Sequence, residues 1–216
     1  MAKILPVYQQ TYLSKFRKSQ DSLITGMEEF AKANKVPILN WHAAEFLEQL
    51  ILLHKPLKVL EIGMAIAYST IRIARALPET GVIHTIEKSS NNIKIAKNYI
   101  RESGVAHKIK IIDGNACVIV PKLRIKYDFI FLDADKEDYE NLFSSSLKLL
   151  SEKGVIVIDN LLWQGFAGAK NVPAKLERST KHIREFNKLL MSTDDLISTI
   201  LPVGDGLGIG VREGRN

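Results

Sequence analysis

From residue 58 onward, short apolar runs alternate with stretches of helical period. The runs KVLEI (58–62), VIHTIE (82–87), KIKIID (108–113), YDFIFLD (127–133) and GVIVID (154–159) are near-continuous Val, Ile, Leu and Phe, as expected of strands covered on both faces of a parallel sheet. Between them lie STIRIARAL, NNIKIAKNYIRESG, ACVIVPKL and KEDYENLFSSSLKLL, with Pro121 placed to distort or end the third helix. A further helix is expected over about 173–191, then LISTILPV and GLGIGVRE, whose short GDG junction predicts an antiparallel hairpin at the sheet edge. Before residue 58 the pattern is helical. Leu23, Met27 and Phe30 share one face of a helix that Asp21 or Ser22 can cap, and Pro37 breaks the pattern. Asn40 can cap a second helix through AAEFLEQLILLH. The expectation is a single domain over 1–216: a helical cap (1–55) on a doubly wound α/β core (56–216), with a seven-stranded, mostly parallel sheet.

The polar residues that close the apolar runs carry the chemistry. Ligands of an open α/β sheet bind at the carboxyl ends of its strands. Asp133 ends one run, and Asp159-Asn160 ends another; two carboxylates and an amide converging there form an oxygen-rich nest for a hard divalent cation. Lys136 stands one turn past Asp133. On the other half, Gly63 ends the first strand in a small-residue turn that lets backbone approach a ligand, ahead of a helix N-terminus. Glu87 ends the second strand, where a carboxylate can accept from both hydroxyls of a ribose. Asp113-Gly114-Asn115-Ala116 follows the third, where an adenine can lie on a backbone turn. Together these favour an adenosyl cofactor. The loop lacks the three-glycine pattern of a dinucleotide or P-loop site, which favours S-adenosylmethionine over NAD or ATP.

Composition narrows the class. The 216 residues are 46% hydrophobic and 25% charged, ordinary for a soluble protein. No apolar stretch approaches the roughly 20 residues of a membrane span, no secretory signal is evident, and a lone Cys117 precludes an internal disulfide; a cytoplasmic protein is expected. The net charge of +6 admits a polyanionic partner without establishing one. The five histidines lie in separate elements without metal-ligand spacing, and Cys117 reads as a small buried hydrophobe.

With these residues in hand, the chain resembles the cation-dependent O-methyltransferases of the catechol and caffeoyl-CoA type. The resemblance runs from about Val36 to the C-terminus and rests most on VLEIGMAIAYS, TIEKS, YDFIFLDADKEDY and GVIVIDNLLWQG. Within that group KVPIL, the IRIA after the glycine loop, and LPVGDGLGI are similar to the small bacterial tRNA 5-hydroxyuridine methyltransferases. The resemblance implies a Rossmann-like S-adenosylmethionine-dependent methyltransferase fold, Mg2+ held by Asp133, Asp159 and Asn160, and Lys136 as catalytic base. It also implies cofactor contacts from Leu39, Gly63, Ser69, Glu87, Asn115 and Ala116, with Asp133 serving the cofactor as well as the metal. A homodimer is implied by the same resemblance. Ala67 stands where these enzymes usually have glycine, and Gln164 where a basic residue is common.

The implied reaction is methyl transfer to an oxygen beside a second oxygen, as in catechol or in 5-hydroxyuracil with its 4-carbonyl. For tRNA, Trp163 and Phe166 are candidate base-stacking residues, and Lys170, Lys175, Arg178, Lys181, Arg184 and Lys188 are candidate phosphate contacts. The alternatives are a methyltransferase of small catechol-like phenols and a non-catalytic RNA- or cofactor-binding protein.

Overall fold

The computed structural model describes residues 5–19 and 21–214. Three helices precede the sheet: α1 (Val7–Ser14), α2 (Ser22–Asn34) and α3 (Trp41–His54). The side chain of Asp21 caps α2 by accepting from the Ile24 N–H, and Asn40 caps α3 by accepting from the His42 N–H. Left-handed Lys35 and Lys55 end these two helices. The α1 helix buries none of its residues, so no apolar stripe marked it in the sequence.

The strands are β1 (Lys58–Ile62), β2 (Val82–Glu87), β3 (Ile109–Asp113), β4 (Tyr127–Leu132), β5 (Leu150–Ile158), β6 (Leu196–Leu201) and β7 (Leu207–Arg212). They form one sheet in the order β3-β2-β1-β4-β5-β7-β6. The first five run parallel, and β7 lies antiparallel between β5 and β6. The connecting helices are α4 (Tyr68–Ala76), α5 (Ser90–Glu102), α6 (Ala116–Ile119), α7 (Tyr139–Leu147) and α8 (Ala174–Met191). The α6 helix gives way to a 3-10 turn, Val120–Lys122, that contains Pro121.

Strand alternation sorts the core into two layers. Val59, Ile83, Phe129, Phe131 and Val157 face α2 to α5, whereas Leu60, Ile130, Leu132, Ile156 and Ile158 face α7 and α8. Both faces are covered, which is why these strands read as unbroken apolar runs. The boundary that differs most is that of β5, which begins at Leu150 rather than at residue 154. Leu150 pairs with Tyr127, and the register then shifts so that Val155 pairs with Phe129, with Lys153 left-handed between them. Such an irregularity hides the polar first half of a strand from a hydrophobicity pattern. No helix among the described residues is long and apolar enough to cross a membrane.

One carboxylate sits inside the apolar layers. Glu61 is fully buried on β1 and accepts from Ser69 Oγ (2.6 Å), Thr70 Oγ1 (2.5 Å) and Thr85 Oγ1 (2.5 Å). These bonds tie β1 to the first turn of α4 and to β2. Burial pushes the Glu61 carboxyl up to about 7, against the pull of the three hydroxyls. A carboxyl raised in the folded state stabilises fully below its unfolded value, and that stability is lost as pH rises through the folded value. Glu61→Gln is therefore expected to flatten the fall in stability between about pH 5 and about pH 7, a difference on the order of 3 kcal/mol. Thermal unfolding of both proteins across that range measures it; parallel curves would remove Glu61 as the cause.

Candidate active site

The carboxyl ends of β1 to β5 open onto one cleft of about 880 Å³. Gly63, Glu87, Asn115, Ala116, Asp133, Lys136, Asp159 and Asn160 all line it. Leu39 and Ser69 do not. Leu39 is buried beside the lining residues Pro37 and Ile38, and the Ser69 hydroxyl is engaged by Glu61. Leu39 has no polar group but its backbone to offer a ligand, and Ser69, with its one hydroxyl proton given to Glu61, has no side-chain donor left.

In the cofactor half, Gly63 has φ +103°, and a β-carbon there would lie 1.8 Å from the Asp133 carbonyl oxygen. Only glycine fits. The Glu87 carboxylate is held by three backbone donors: Ala65 N–H on Oε2 (2.9 Å), and Lys88 N–H (3.0 Å) and Ser89 N–H (2.8 Å) on Oε1. A carboxylate offers about four acceptor positions, so the free one lies on Oε2, and a second ribose hydroxyl would have to share. Asn115 caps α6 by accepting from the Cys117 N–H (2.8 Å), which turns the chain along the cleft wall. Cys117 is half-buried rather than fully enclosed.

Ala67 is left-handed, at φ 72° and ψ 25°, and forms the N-cap of α4. The strain costs about 1–2 kcal/mol for an L-residue. Its methyl is fully buried in the core, a gain of about 0.8 kcal/mol. The two nearly cancel, which accounts for alanine in a glycine position.

The other half is a chain of polar contacts around Lys136. Its side chain is 11% exposed and Nζ donates to Asp133 Oδ1 (3.2 Å), the Ala134 carbonyl (3.0 Å) and Tyr139 Oη (2.6 Å). Tyr139 Oη in turn donates to the Asp159 carbonyl (2.9 Å). Asp159 is 4% exposed, and its Oδ1 is buried without a hydrogen-bond partner among the described residues. Burial, then the neighbouring Asp133 charge, pushes the Asp159 carboxyl well above the usual carboxylate range. Among the described residues no three His, Cys, Asp or Glu side chains gather into a metal cage; the candidate set is two aspartates and one carboxamide. An orphaned, buried carboxylate oxygen beside a second carboxylate and an amide fits a hard cation by donor chemistry.

Several cleft residues escaped the sequence reading. Asp205 lines the cleft from the β6–β7 turn, in a GDG read only as a hairpin junction. Burial raises its carboxyl, opposed by the Gln164 N–H and the Asn160 amide. Lys88 and Asp135 form an ion pair (2.6 Å) joining the loops after β2 and β4. Tyr139 had a visible signal, since it lies one turn beyond Lys136 in DADKEDY.

The proposed RNA contacts divide. Trp163 lines the cleft, whereas Phe166 is not among its lining residues. In the basic stretch, Arg184 donates to the carbonyls of Phe166, Ala167 and Ala169. Arg178 pairs with Glu137 (3.1 Å), and Lys181 approaches Glu185 (3.8 Å). Arg178 and Lys181 each have a carboxylate partner while staying largely exposed, whereas Arg184 is anchored to neutral carbonyls that leave its charge uncompensated.

The O-methyltransferase family matches residues 16–213, nearly the whole chain. The chain belongs to this O-methyltransferase family. A caffeoyl-CoA O-methyltransferase of Populus kitakamiensis is 34% identical over 170 residues, covering 75% of this chain and 72% of the relative. The solved O-methyltransferase TomG of Streptomyces achromogenes, involved in tomaymycin synthesis and in complex with SAM, is 28% identical with a TM-score of 0.82, covering 94% of this chain and 95% of that one. An O-methyltransferase of Bacillus cereus in complex with SAH is 26% identical with a TM-score of 0.81, covering 94% and 96%. The cleft described above is thus the candidate active site of an O-methyltransferase.

Ala67→Gly tests the balance at the cofactor loop. Relief of strain is offset by the lost methyl and by the flexibility of glycine in the unfolded chain, about 0.5–1 kcal/mol. The substitution is expected to change unfolding free energy by less than about 1 kcal/mol. A gain of several kcal/mol in denaturant titration would mean that the loop is strained beyond this account.

Proposed function

We propose that this protein is an S-adenosylmethionine- and Mg2+-dependent O-methyltransferase that converts 5-hydroxyuridine of tRNA, at the wobble position, to 5-methoxyuridine. The observation that carries the chemistry is the orphaned Asp159 Oδ1 beside Asp133, Asn160 and Lys136, in the cleft that Gly63 and Glu87 enter from the other side. The cofactor assignment is supported by the SAM and SAH complexes of TomG and the Bacillus cereus enzyme. The tRNA assignment is supported by the subgroup resemblance, the net charge of +6 and Trp163 in the cleft wall.

Asp133, Asp159 and Asn160 would hold the cation, and Glu87 would accept a ribose hydroxyl through its free position. When bound, the cation lowers the pKa of an acceptor hydroxyl and the sulfonium supplies an electrophilic methyl. Lys136 Nζ, held by Asp133, the Ala134 carbonyl and Tyr139, donates three hydrogen bonds as an ammonium; after releasing one of those protons to solvent, the neutral amine would take the proton of the acceptor hydroxyl. The Gly63 turn sets the cofactor side of the cleft against Asp133, an arrangement that would let a bound methyl donor and acceptor lie close together.

A second reading, methylation of a small or CoA-linked phenol, is favoured by the caffeoyl-CoA O-methyltransferases among the relatives and by the carboxylate partners of Arg178 and Lys181. Purified protein incubated with S-adenosylmethionine, Mg2+ and tRNA carrying 5-hydroxyuridine separates the two. Nucleoside mass spectrometry is expected to show 5-methoxyuridine, abolished by EDTA and restored by Mg2+. Efficient methylation of catechols with untouched tRNA would favour the phenol reading, and full activity in EDTA would sink the metal.

Glu87→Ala is expected to weaken S-adenosylmethionine binding by about 1.5–3 kcal/mol, the range for hydrogen bonds to a charged group. Calorimetry showing unchanged affinity would place the adenosyl ribose elsewhere.

A further inference from the structure

The segment after β5 carries an unusual backbone. Asn160 (φ 64°), Trp163 (φ 49°) and Gln164 (φ 54°) are all left-handed, none of them glycine. Such conformations persist only where surrounding structure holds them. The β6–β7 turn does so through four bonds: Leu161 N–H to the Gly206 carbonyl (2.9 Å), Leu162 N–H to the Asp205 carbonyl (2.9 Å), Gln164 N–H to Asp205 Oδ1 (2.6 Å) and Asn160 Nδ2 to Asp205 Oδ2 (3.4 Å). Gly206 makes the approach possible, since a β-carbon there would lie 2.6 Å from the Leu162 nitrogen.

We propose that Asp205 is a positioning residue that selects which end of the Asn160 carboxamide faces the cation site, an inference that rests on the metal reading above. A carboxamide has one oxygen able to ligate a hard cation and one NH2 that repels it. The Asp205 carboxylate has only acceptors, so it engages Nδ2 and leaves Oδ1 for the cleft. The shorter bond to Gln164 fixes the carboxylate itself, so the orientation is set by a clasped turn and not by a free rotamer. Asp205 touches no ligand in this scheme; it acts through Asn160. Partners of this kind govern metal affinity about 10–100-fold.

The test is Mn2+ binding to the whole protein, read by the loss of the free-ion EPR signal, with S-adenosylmethionine affinity measured in parallel. Asp205→Asn keeps the acceptor for Gln164 but sets an NH2 against the NH2 of Asn160. It is expected to weaken Mn2+ binding by about 10-fold or more, with cofactor affinity within about twofold of wild type. The exchange Asn160→Asp with Asp205→Asn preserves net charge and restores a donor–acceptor pair with an oxygen toward the cation. It is expected to bind Mn2+ within about threefold of wild type, and more tightly than Asn160→Asp alone, where two carboxylates face each other. Unchanged Mn2+ affinity in Asp205→Asn, or a double variant no better than both single ones, overturns the inference while the metal reading stands. Equal losses of Mn2+ and cofactor binding overturn it in favour of a general structural role. Wild-type protein that leaves the Mn2+ signal unaltered removes the metal reading and the inference together.

Discussion

The backbone of Gly63 lies so close to the Asp133 carbonyl that no side chain can stand between them, and this contact joins the two halves of the cleft. It occurs where β1 and β4 run side by side, the point at which the strand order reverses. Backbone bonds secure it: Asp133 N–H donates to the Ile62 carbonyl (2.9 Å) and Gly63 N–H to the Ile86 carbonyl (3.1 Å). The glycine turn and the Asp133–Lys136 turn cannot be adjusted separately. Their distance is a property of the sheet.

Around that contact the protein concentrates acidic groups at unequal depth. Glu61 lies inside the core with three hydroxyls, Glu87 at the cleft wall with three backbone donors, and Asp159 almost fully enclosed with one oxygen unmatched. A buried carboxylate is costly unless hydrogen-bonded or paired. Glu61 is matched by the protein and holds structure in place. Glu87 keeps one acceptor position open on Oε2, and Asp159 has an oxygen with no partner among the described residues, so these two are the carboxylates open to an external partner.

The helices before β1 attach to the cofactor side through a polar network. Arg17 forms a two-bond pair with Glu28, Glu28 accepts from Tyr68 Oη, and Arg72 donates both to Tyr68 Oη and to Glu48. Burial, together with the bond to Glu28, raises the Tyr68 phenol. Tyr68 and Arg72 belong to α4, whose first turn follows the strained Ala67. The cap thus braces the helix that follows the Gly63–Ala67 loop, and removing Glu48 would leave the buried Arg72 without its carboxylate.

The order of strands and helices, the caps at Asp21 and Asn40, and the residues at the strand ends were legible in the sequence. The reason is local: a strand covered on both faces must be apolar along its length, and its polar residues collect where it leaves the core. The edge hairpin was legible from the short GDG junction between its two runs. Other features depend on contacts between distant segments. Asp205 sits in a turn whose sequence explains itself as a turn, and only the packing of that turn on the segment after β5 turns it toward Asn160. Arg184 reads as a surface cation until the 166–169 carbonyls are brought to it. Ser69 and Ala67 likewise depended on tertiary structure, one for the buried acceptor that claims its hydroxyl, the other for the sign of a single backbone angle. Apolar periodicity records what each segment must bury; it does not record which polar group across the fold will meet which.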